Sequence, residues 1–130
     1  MRIRVLLLVL LVELVVVFPR CDDSCKALQH LTAAEDLQEQ GLRDEAIVEY
    51  DQSIRLDSTN PVAYRARGFA HFISRRHDSA IQDYSVATRL EPEDFKAYFG
   101  RALAYANLGQ HGRALDDYAV ANTLRSQRKP

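Results

Sequence analysis

The sequence predicts an all-α fold, an antiparallel helix-pair solenoid of three repeated units preceded by an apolar N-terminal helix. The first observation is a period of 34 residues, with units that begin at Ala27, Pro61 and Phe95. The second is that each unit divides into two stretches of helical periodicity joined by a short turn. The third is that no stretch alternates apolar and polar residues in the way a strand does. A single helix pair cannot bury its apolar face alone, so the units are expected to stack.

Seven positions of the repeat agree in chemistry in all three units. Position 8 is small, position 20 is alanine, position 21 is aliphatic, position 23 is acidic, position 24 is tyrosine, position 27 is small and position 30 is leucine. Small side chains let the helices approach closely, and the tyrosines fill the gaps between them. The residues are Ala34, Gly68 and Ala102; Ala46, Ala80 and Ala114; Ile47, Ile81 and Leu115; Glu49, Asp83 and Asp117; Tyr50, Tyr84 and Tyr118; Ser53, Ala87 and Ala121; and Leu56, Leu90 and Leu124.

The turns within and between the units contain residues that end and start helices. The first unit turns at Gly41 and the third through residues 109–112, where glycine suits the end of a helix. The second unit turns through residues 74–78 without a glycine. Pro61 and Pro92 break helices between units, and the Ser, Asn and Asp residues near them suit turns and helix starts.

Residues 1–25 are predicted to be a signal peptide or a membrane-anchor segment. A short basic start is followed by an apolar run of 14 residues from Val5 to Phe18, interrupted only by Glu13. This run is shorter than the about 20 residues that cross a bilayer as a helix. We expect an exported or membrane-anchored protein whose domain lies outside the cytoplasm, associated with the membrane through this segment. The alternative is a cytoplasmic protein with an apolar tail.

Cys21 and Cys25 lie at the end of this segment and allow three interpretations. In an oxidising compartment they could form a local disulfide. Cys21 also follows an apolar run, as the lipidated cysteine of a bacterial lipoprotein does, although Arg20 stands where such signals have a small residue. The third interpretation is two ordinary thiols. No histidine has a second histidine three or four residues away, so no metal site is predicted.

The composition excludes several classes of protein. The chain has 130 residues and a mass of 14.8 kDa, which suits one domain, and its 47% hydrophobic residues can bury a core. A net charge of −1 gives no reason to expect a nucleic-acid partner. The charge is uneven, because residues 26–60 carry three bases against eight acids and residues 95–130 carry six bases against two acids. No phosphate loop, nucleophile elbow or metal-protease motif is present, so we expect no enzyme and no cofactor.

These repeats resemble the tetratricopeptide repeat family. That family has a bulky residue at position 4, small at 8, aromatic at 11, alanine at 20 and 27, aromatic at 24 and proline at 32. The second unit departs from this pattern with His71 at position 11, and the other two have Ser58 and Ser126 at position 32. The first unit matches least well. The matching residues of the third unit are Tyr98, Ala102, Tyr105, Ala114, Tyr118 and Ala121, and those of the second are Tyr64, Gly68, Ala80, Tyr84, Ala87 and Pro92.

The resemblance covers about 100 residues, from 27 to 126. It implies a repeat domain at residues 26–126, with units at 27–60, 61–94 and 95–126 and a tail at 127–130. The layout, an apolar leader before the repeats, is similar to that of tetratricopeptide-repeat proteins of the bacterial envelope.

The resemblance also implies a groove, lined by the first helix of each unit, that binds an extended peptide or a partner helix. The matching positions give an apolar floor between two basic residues, which suits a ligand with apolar anchors and a carboxylate. The alternative is that some of the phenylalanines pack between helices and leave a shallower groove. The predicted groove residues are Arg65, Phe69, Phe72, Lys96, Phe99, Leu103 and Asn107.

One subclass of the family grips the acidic C-terminal tails of chaperones with a clamp of lysine, asparagine and arginine side chains. Only Lys96 fits that clamp in this sequence, so a chaperone clamp is not predicted. The matching positions hold Leu31, Glu35, Ala66, Lys96 and Gly100.

Arg67 and Arg101 occupy position 7, where the family usually has leucine. They could read an acidic ligand, but the simpler interpretation pairs them with the acids of position 23, because a guanidinium group matches a carboxylate. Arg67 is then expected to pair with Glu49 or Asp83, and Arg101 with Asp83 or Asp117.

The expected function is that of a non-enzymatic interaction module or scaffold for a protein or peptide partner. The first alternative is self-assembly, because Leu115, Tyr118 and Leu124 on the last helix could lack a cover and the acidic first unit could stack on the basic third. The second alternative is a fragment of a longer repeat array.

Overall fold

A computed structural model describes residues 21–128 of the chain, and all the regular structure in that range is α-helical. The helices pack in the consecutive pairs α1 with α2, α3 with α4, and α5 with α6, and the pairs stack in chain order. The predicted all-α helix-pair solenoid is therefore confirmed. The six helices are α1 (Asp23–Glu39), α2 (Arg43–Leu56), α3 (Pro61–Ile73), α4 (His77–Leu90), α5 (Phe95–Asn107) and α6 (His111–Gln127).

The apolar helix expected before the solenoid lies outside the described residues. Within residues 21–128, no helix is both long enough and apolar enough to cross a membrane. Cys21 and Cys25, which are described, are joined by a disulfide with their Cα atoms 5.3 Å apart. Of the three interpretations of these cysteines, the local disulfide is the one found in the structure.

Helices α3 and α5 start at the first positions of the second and third predicted units. Each follows a capping residue, because Asn60 and Asp94 use Oδ1 to accept a hydrogen bond, 3.0 Å long, from the backbone N–H two residues later. A cap of this kind stabilises a helix by about 1 kcal/mol. Helix α1 starts at Asp23, four residues before the first predicted unit, because Asp22 caps it through the N–H of Cys25 at 2.9 Å.

The turns within the three pairs share one backbone conformation. Each contains a residue with positive φ, which is Gly41 at +82°, Arg75 at +60° and Gly109 at +73°. In each turn the residue that follows donates its N–H to the carbonyl oxygen five residues earlier at 2.9 Å, which is the hydrogen bond of a Schellman motif. The second turn therefore has the same geometry as the others although it lacks glycine.

The core is built mainly from alanine, so the helices lie close together. Tyr50 and Tyr84 are the large side chains among them, at 0% and 2% exposure. Tyr84 of α4 packs directly against the backbone of α5, because a Cβ atom added to Gly100 would lie only 2.6 Å from its Cε1 atom. The alanines with no exposed surface are Ala34, Ala46, Ala63, Ala70, Ala80, Ala87, Ala97, Ala102 and Ala104.

Candidate functional site

A groove of about 440 Å³ runs over the first helices of the three pairs. Six of the seven predicted groove residues line it. Asn107 does not line it, because its side-chain amide donates to the carbonyl oxygen of Leu103 at 2.8 Å one turn earlier on α5. The predicted residues that line the groove are Arg65, Phe69, Phe72, Lys96, Phe99 and Leu103, and the others are Glu35, Gln38, Tyr50, Val62, Ala66, Tyr84, Phe95 and Gly100.

The floor of the groove has two exposed aromatic rings. Phe69 on α3 is 46% exposed and Phe99 on α5 is 50% exposed. Phe99 also packs edge-on against Tyr118, with the ring centroids 5.6 Å apart. Phe72 is half-buried and tilted against His77 at 5.4 Å between centroids, so it packs partly between helices. Two of the three predicted phenylalanines therefore offer a large contact area to a ligand.

The two predicted basic residues of the groove differ in availability. Nε of Arg65 lies 3.2 Å from Oδ2 of Asp94, and only 25% and 7% of the two side chains are exposed. The charge of Arg65 is therefore already compensated by a buried carboxylate, which the sequence reasoning missed. Lys96 on α5 is exposed and forms no ion pair with any residue from 21 to 128.

The opposite end of the groove is acidic, which the predicted set of groove residues did not include. Glu35 on α1 lines this end, is exposed and forms no ion pair within the described part of the chain. Its neighbour Gln38 uses Oε1 to accept a hydrogen bond from the Tyr50 hydroxyl at 3.4 Å. Burial, reinforced by the negative charge of Glu35, raises the pKa of Tyr50 to about 12, so the phenol stays protonated.

Tyr84 lines the groove between α3 and α5, because its ring lies against Gly68 and Gly100. The residue is 2% exposed, and its hydroxyl makes no hydrogen bond to any of the described residues. Burial raises its pKa above the ordinary value for tyrosine, so it too stays protonated and can donate a hydrogen bond. The repeat pattern indicated a tyrosine at position 24, but the pattern does not reveal that its hydroxyl lacks a partner.

Arg67 and Arg101 lie outside the groove and join helices. Nε and Nη2 of Arg67 donate to the two carboxylate oxygens of Asp83 at 2.9 and 2.6 Å. Arg101 binds Asp117 in the same bidentate way, at 2.7 and 2.8 Å. Both arginines therefore hold the two helices of one pair together.

Of the two predicted partners of Arg67, the structure has Asp83 and not Glu49. The second carboxylate on Arg67 is Asp51, at 2.6 Å from Nη1, which links α3 to α2 of the preceding pair. Glu49 instead lies 2.6 Å from Nδ1 of His30 on α1. The acid at position 23 contacts the first helix of its own pair in all three units, so Glu49 faces α1 and does not reach Arg67 on α3.

Residues 36–73 match a family described as TPR repeat, and residues 70–128 match one described as tetratricopeptide repeat. The structure of the first TPR of Spaghetti (RPAP3), bound to the HSP90 peptide SRMEEVD, is 32% identical to the chain. That similarity covers 79% of this chain and 82% of the other, with a TM-score of 0.77. The chain belongs to the tetratricopeptide repeat (TPR) family. It is a TPR interaction module with three helix pairs.

Two further structures share the fold of this TPR domain at lower identity. The Arabidopsis OM64 TPR domain is 22% identical over 82% of this chain and 88% of its own, with a TM-score of 0.79. The TPR2B domain of yeast Sti1, in a complex with pHsp70, is 21% identical over 81% and 84%, also with a TM-score of 0.79. Among curated protein sequences, none matches the chain.

Proposed function

We propose that the TPR domain binds an extended segment of a partner protein in the groove between Glu35 and Lys96, without catalysis. The observation that carries this proposal is the pair Phe69 and Phe99, whose rings are about half exposed inside a groove rather than scattered over the surface. Exposed apolar groups that cluster in a concavity are typical of binding sites. The similarity to a TPR domain bound to a peptide supports the same assignment.

The two rings can supply a useful part of the binding free energy. Full burial of a phenylalanine side chain is favourable by about 1.5–3 kcal/mol, so covering the exposed half of each ring contributes about 1 kcal/mol per ring.

The test is a selection of peptides from a random library displayed on phage, with the wild-type protein as the target. Enriched peptides should bind the double variant Phe69→Ala/Phe99→Ala at least tenfold more weakly than wild type in a fluorescence anisotropy titration. Leu42→Ala/Val48→Ala is the matched control, because it truncates two residues that are 41% and 55% exposed outside the groove. Equal binding by a groove variant with unchanged helical circular dichroism would contradict the proposal.

We further propose that the protein is exported or membrane-anchored through its apolar N-terminal run. The disulfide between Cys21 and Cys25 supports this location, because disulfides persist in oxidising compartments. Mass spectrometry of the mature N-terminus in the native host, after cell fractionation, tests it. A chain that keeps Met1 and is recovered from the cytosol with both thiols reduced would refute the location.

Self-association is a second candidate, favoured by one series of equivalent residues. Position 21 is 8% exposed in the first pair (Ile47), half-buried in the second (Ile81) and 68% exposed in the third (Leu115). The following helix pair covers this position in the first two units, whereas in the third nothing in the described residues covers it. An end-to-end contact between copies would bury Leu115.

A further inference from the structure

We infer that the groove selects a segment with an acidic and a basic residue on opposite sides of an apolar anchor. The acidic residue lies at Lys96 and the basic residue at Glu35, while the anchor lies on Phe69 and Phe99. This inference rests on the proposed function and adds the charge pattern and the orientation of the ligand. It differs from the expectation of a ligand that carries a carboxylate alone.

The end of the groove at α5 has one available cation. Arg65 is held by Asp94, whose carboxylate also caps α5, so neither group needs a charge from the ligand. Lys96 lies beside this pair with an exposed side chain and no ion pair within residues 21–128. A ligand carboxylate placed here gains a partner without breaking an existing contact.

The end of the groove at α1 has the opposite charge. Glu35 lines the groove and forms no ion pair with the described residues, and the surrounding residues 26–60 carry three bases against eight acids. A purely acidic peptide would place a carboxylate near Glu35, where like charges repel. A basic ligand residue at this end is attracted instead.

The middle of the groove suits an extended backbone. The Tyr84 hydroxyl is protonated and unpaired within the described residues, and its ring lies in the groove between Gly68 of α3 and Gly100 of α5. It can donate a hydrogen bond to a peptide carbonyl oxygen, which every residue of an extended segment offers. A hydrogen bond to the backbone holds the segment without restricting its sequence.

The spacing of the helices sets the distance between the two charges of the ligand. Packed helices lie about 8–10 Å apart, so α1 and α5, which are separated by α3, are roughly 16–20 Å apart. An extended chain spans about 3.3 Å per residue, which places the two charges about five or six residues apart.

The experiment repeats the phage selection with a charge-reversed protein, Glu35→Lys/Lys96→Glu, whose net charge equals that of wild type. The peptides that wild type enriches should share one order of the acidic residue, the apolar anchor and the basic residue from their N-terminus to their C-terminus. The peptides that the reversed protein enriches should have the opposite order. Synthetic wild-type peptides should bind the reversed protein about tenfold more weakly, and exchange of their acidic and basic residues should restore binding. Asp36→Lys/Arg125→Glu is the control, because both residues are exposed outside the groove.

The outcomes separate this inference from the proposed function. Enriched peptides without paired charges, or peptides that bind the reversed protein as well as wild type, would overturn the inference and leave peptide binding in place. The peptide SRMEEVD is a defined probe, because its arginine and its acidic residues lie on opposite sides of a methionine. A version with glutamate in place of that arginine, if it bound as tightly as the original, would also overturn the inference. If wild type enriches no peptide that the Phe69→Ala/Phe99→Ala protein fails to enrich, the proposed function itself is overturned.

Discussion

Gly100 fixes the distance between α4 and α5, because the ring of Tyr84 occupies the space that a side chain would need. An added Cβ atom would lie 2.6 Å from Cε1 and 2.7 Å from the hydroxyl oxygen of that ring. We expect Gly100→Ala to lower the free energy of unfolding by about 1–3 kcal/mol, since overpacking forces a buried ring to move. Urea denaturation followed by circular dichroism measures the change.

The control for that prediction is Gly112→Ala. Gly112 lies on α6, and an added Cβ atom there meets nothing within 4 Å. The same substitution should leave the stability unchanged or raise it by up to about 1 kcal/mol, because alanine favours a helix over glycine. Equal losses at the two positions would show that the close contact with Tyr84 is not the cause.

His71 makes the stability depend on pH. Burial lowers its pKa below the ordinary value of 6.5, and the carboxylate of Asp83, 3.8 Å from Nε2, only partly opposes this. The positive charges of Arg67 and Arg76 lower the pKa further, and the more distant Asp51 acts in the opposite direction. The folded state therefore takes up a proton at lower pH than the unfolded state. The contribution of neutral His71 to the free energy of unfolding is therefore complete above about pH 6.5 and is lost as the pH falls below that value.

The prediction is a smaller pH dependence in His71→Phe, which restores an aromatic residue at position 11. Between pH 7.5 and pH 5.5 the free energy of unfolding of wild type should fall more than that of this variant, as measured by urea denaturation at both pH values. His111→Gln removes an exposed histidine and should behave like wild type. An identical fall in wild type and His71→Phe would contradict the assignment.

At the scale of the helices, the turn between α3 and α4 contains a strained residue. Arg75 has φ of +60° at the position where the other two turns have glycine. A left-handed conformation destabilises the folded state by about 1–2 kcal/mol for a residue that has a side chain, and glycine avoids this strain. Glycine also loses more conformational freedom on folding, which offsets part of the gain. Arg75→Gly should therefore raise the free energy of unfolding by up to about 1 kcal/mol in thermal or urea denaturation.

Gln82→Gly is the matched test of that explanation. Gln82 is exposed in the middle of α4, where glycine should lower the stability by about 1 kcal/mol. Opposite signs at the two positions are the expected result. A loss of stability at both positions would mean that the side chain of Arg75 stabilises the turn by more than its backbone strain costs.

The helices could be predicted from the sequence wherever the repeat pattern and the caps agree. Pro61 and Phe95 start helices as the spacing predicts, because Asn60 and Asp94 precede them as caps. The earlier start of α1 at Asp23 was not predicted, since the repeat pattern begins at Ala27. The positive φ of Arg75 could not be predicted either, because it follows from the length of the turn and not from the residue.

At the scale of the whole molecule, the groove was predictable in its position but not in its charge. The family positions place six of the seven predicted residues on one surface, because the first helices of the three pairs are equivalent. The compensation of Arg65 by Asp94 depends on a contact between residues 29 positions apart, and no local pattern encodes it. Glu35 occupies a groove-facing position of the first unit, but the predicted binding residues came only from the second and third units, so the acidic end was left out.

The uneven charge and the exposed end of the molecule lead to a prediction about its assembly in solution. Residues 26–60 carry a net charge of −5 and residues 95–130 a net charge of +4, and Leu115 is 68% exposed on the last helix. If the basic end of one copy stacks on the acidic end of another, the contact is not closed by symmetry and can extend. Multi-angle light scattering should then give a mass well above 14.8 kDa at 50 mM salt and a falling mass at 500 mM salt, because salt screens the attraction.

The full chain also contains an apolar N-terminal run that could associate independently, so a variant must separate the two causes. Leu115→Gln should reduce the mass at 50 mM salt, because it removes the apolar contact from the end of the solenoid without changing the charge. Leu90→Gln, at a residue that is 40% exposed on α4 and outside both charged ends, should leave the mass unchanged. A mass that does not respond to salt or to Leu115→Gln would rule out end-to-end stacking and leave binding in the groove as the function of the domain.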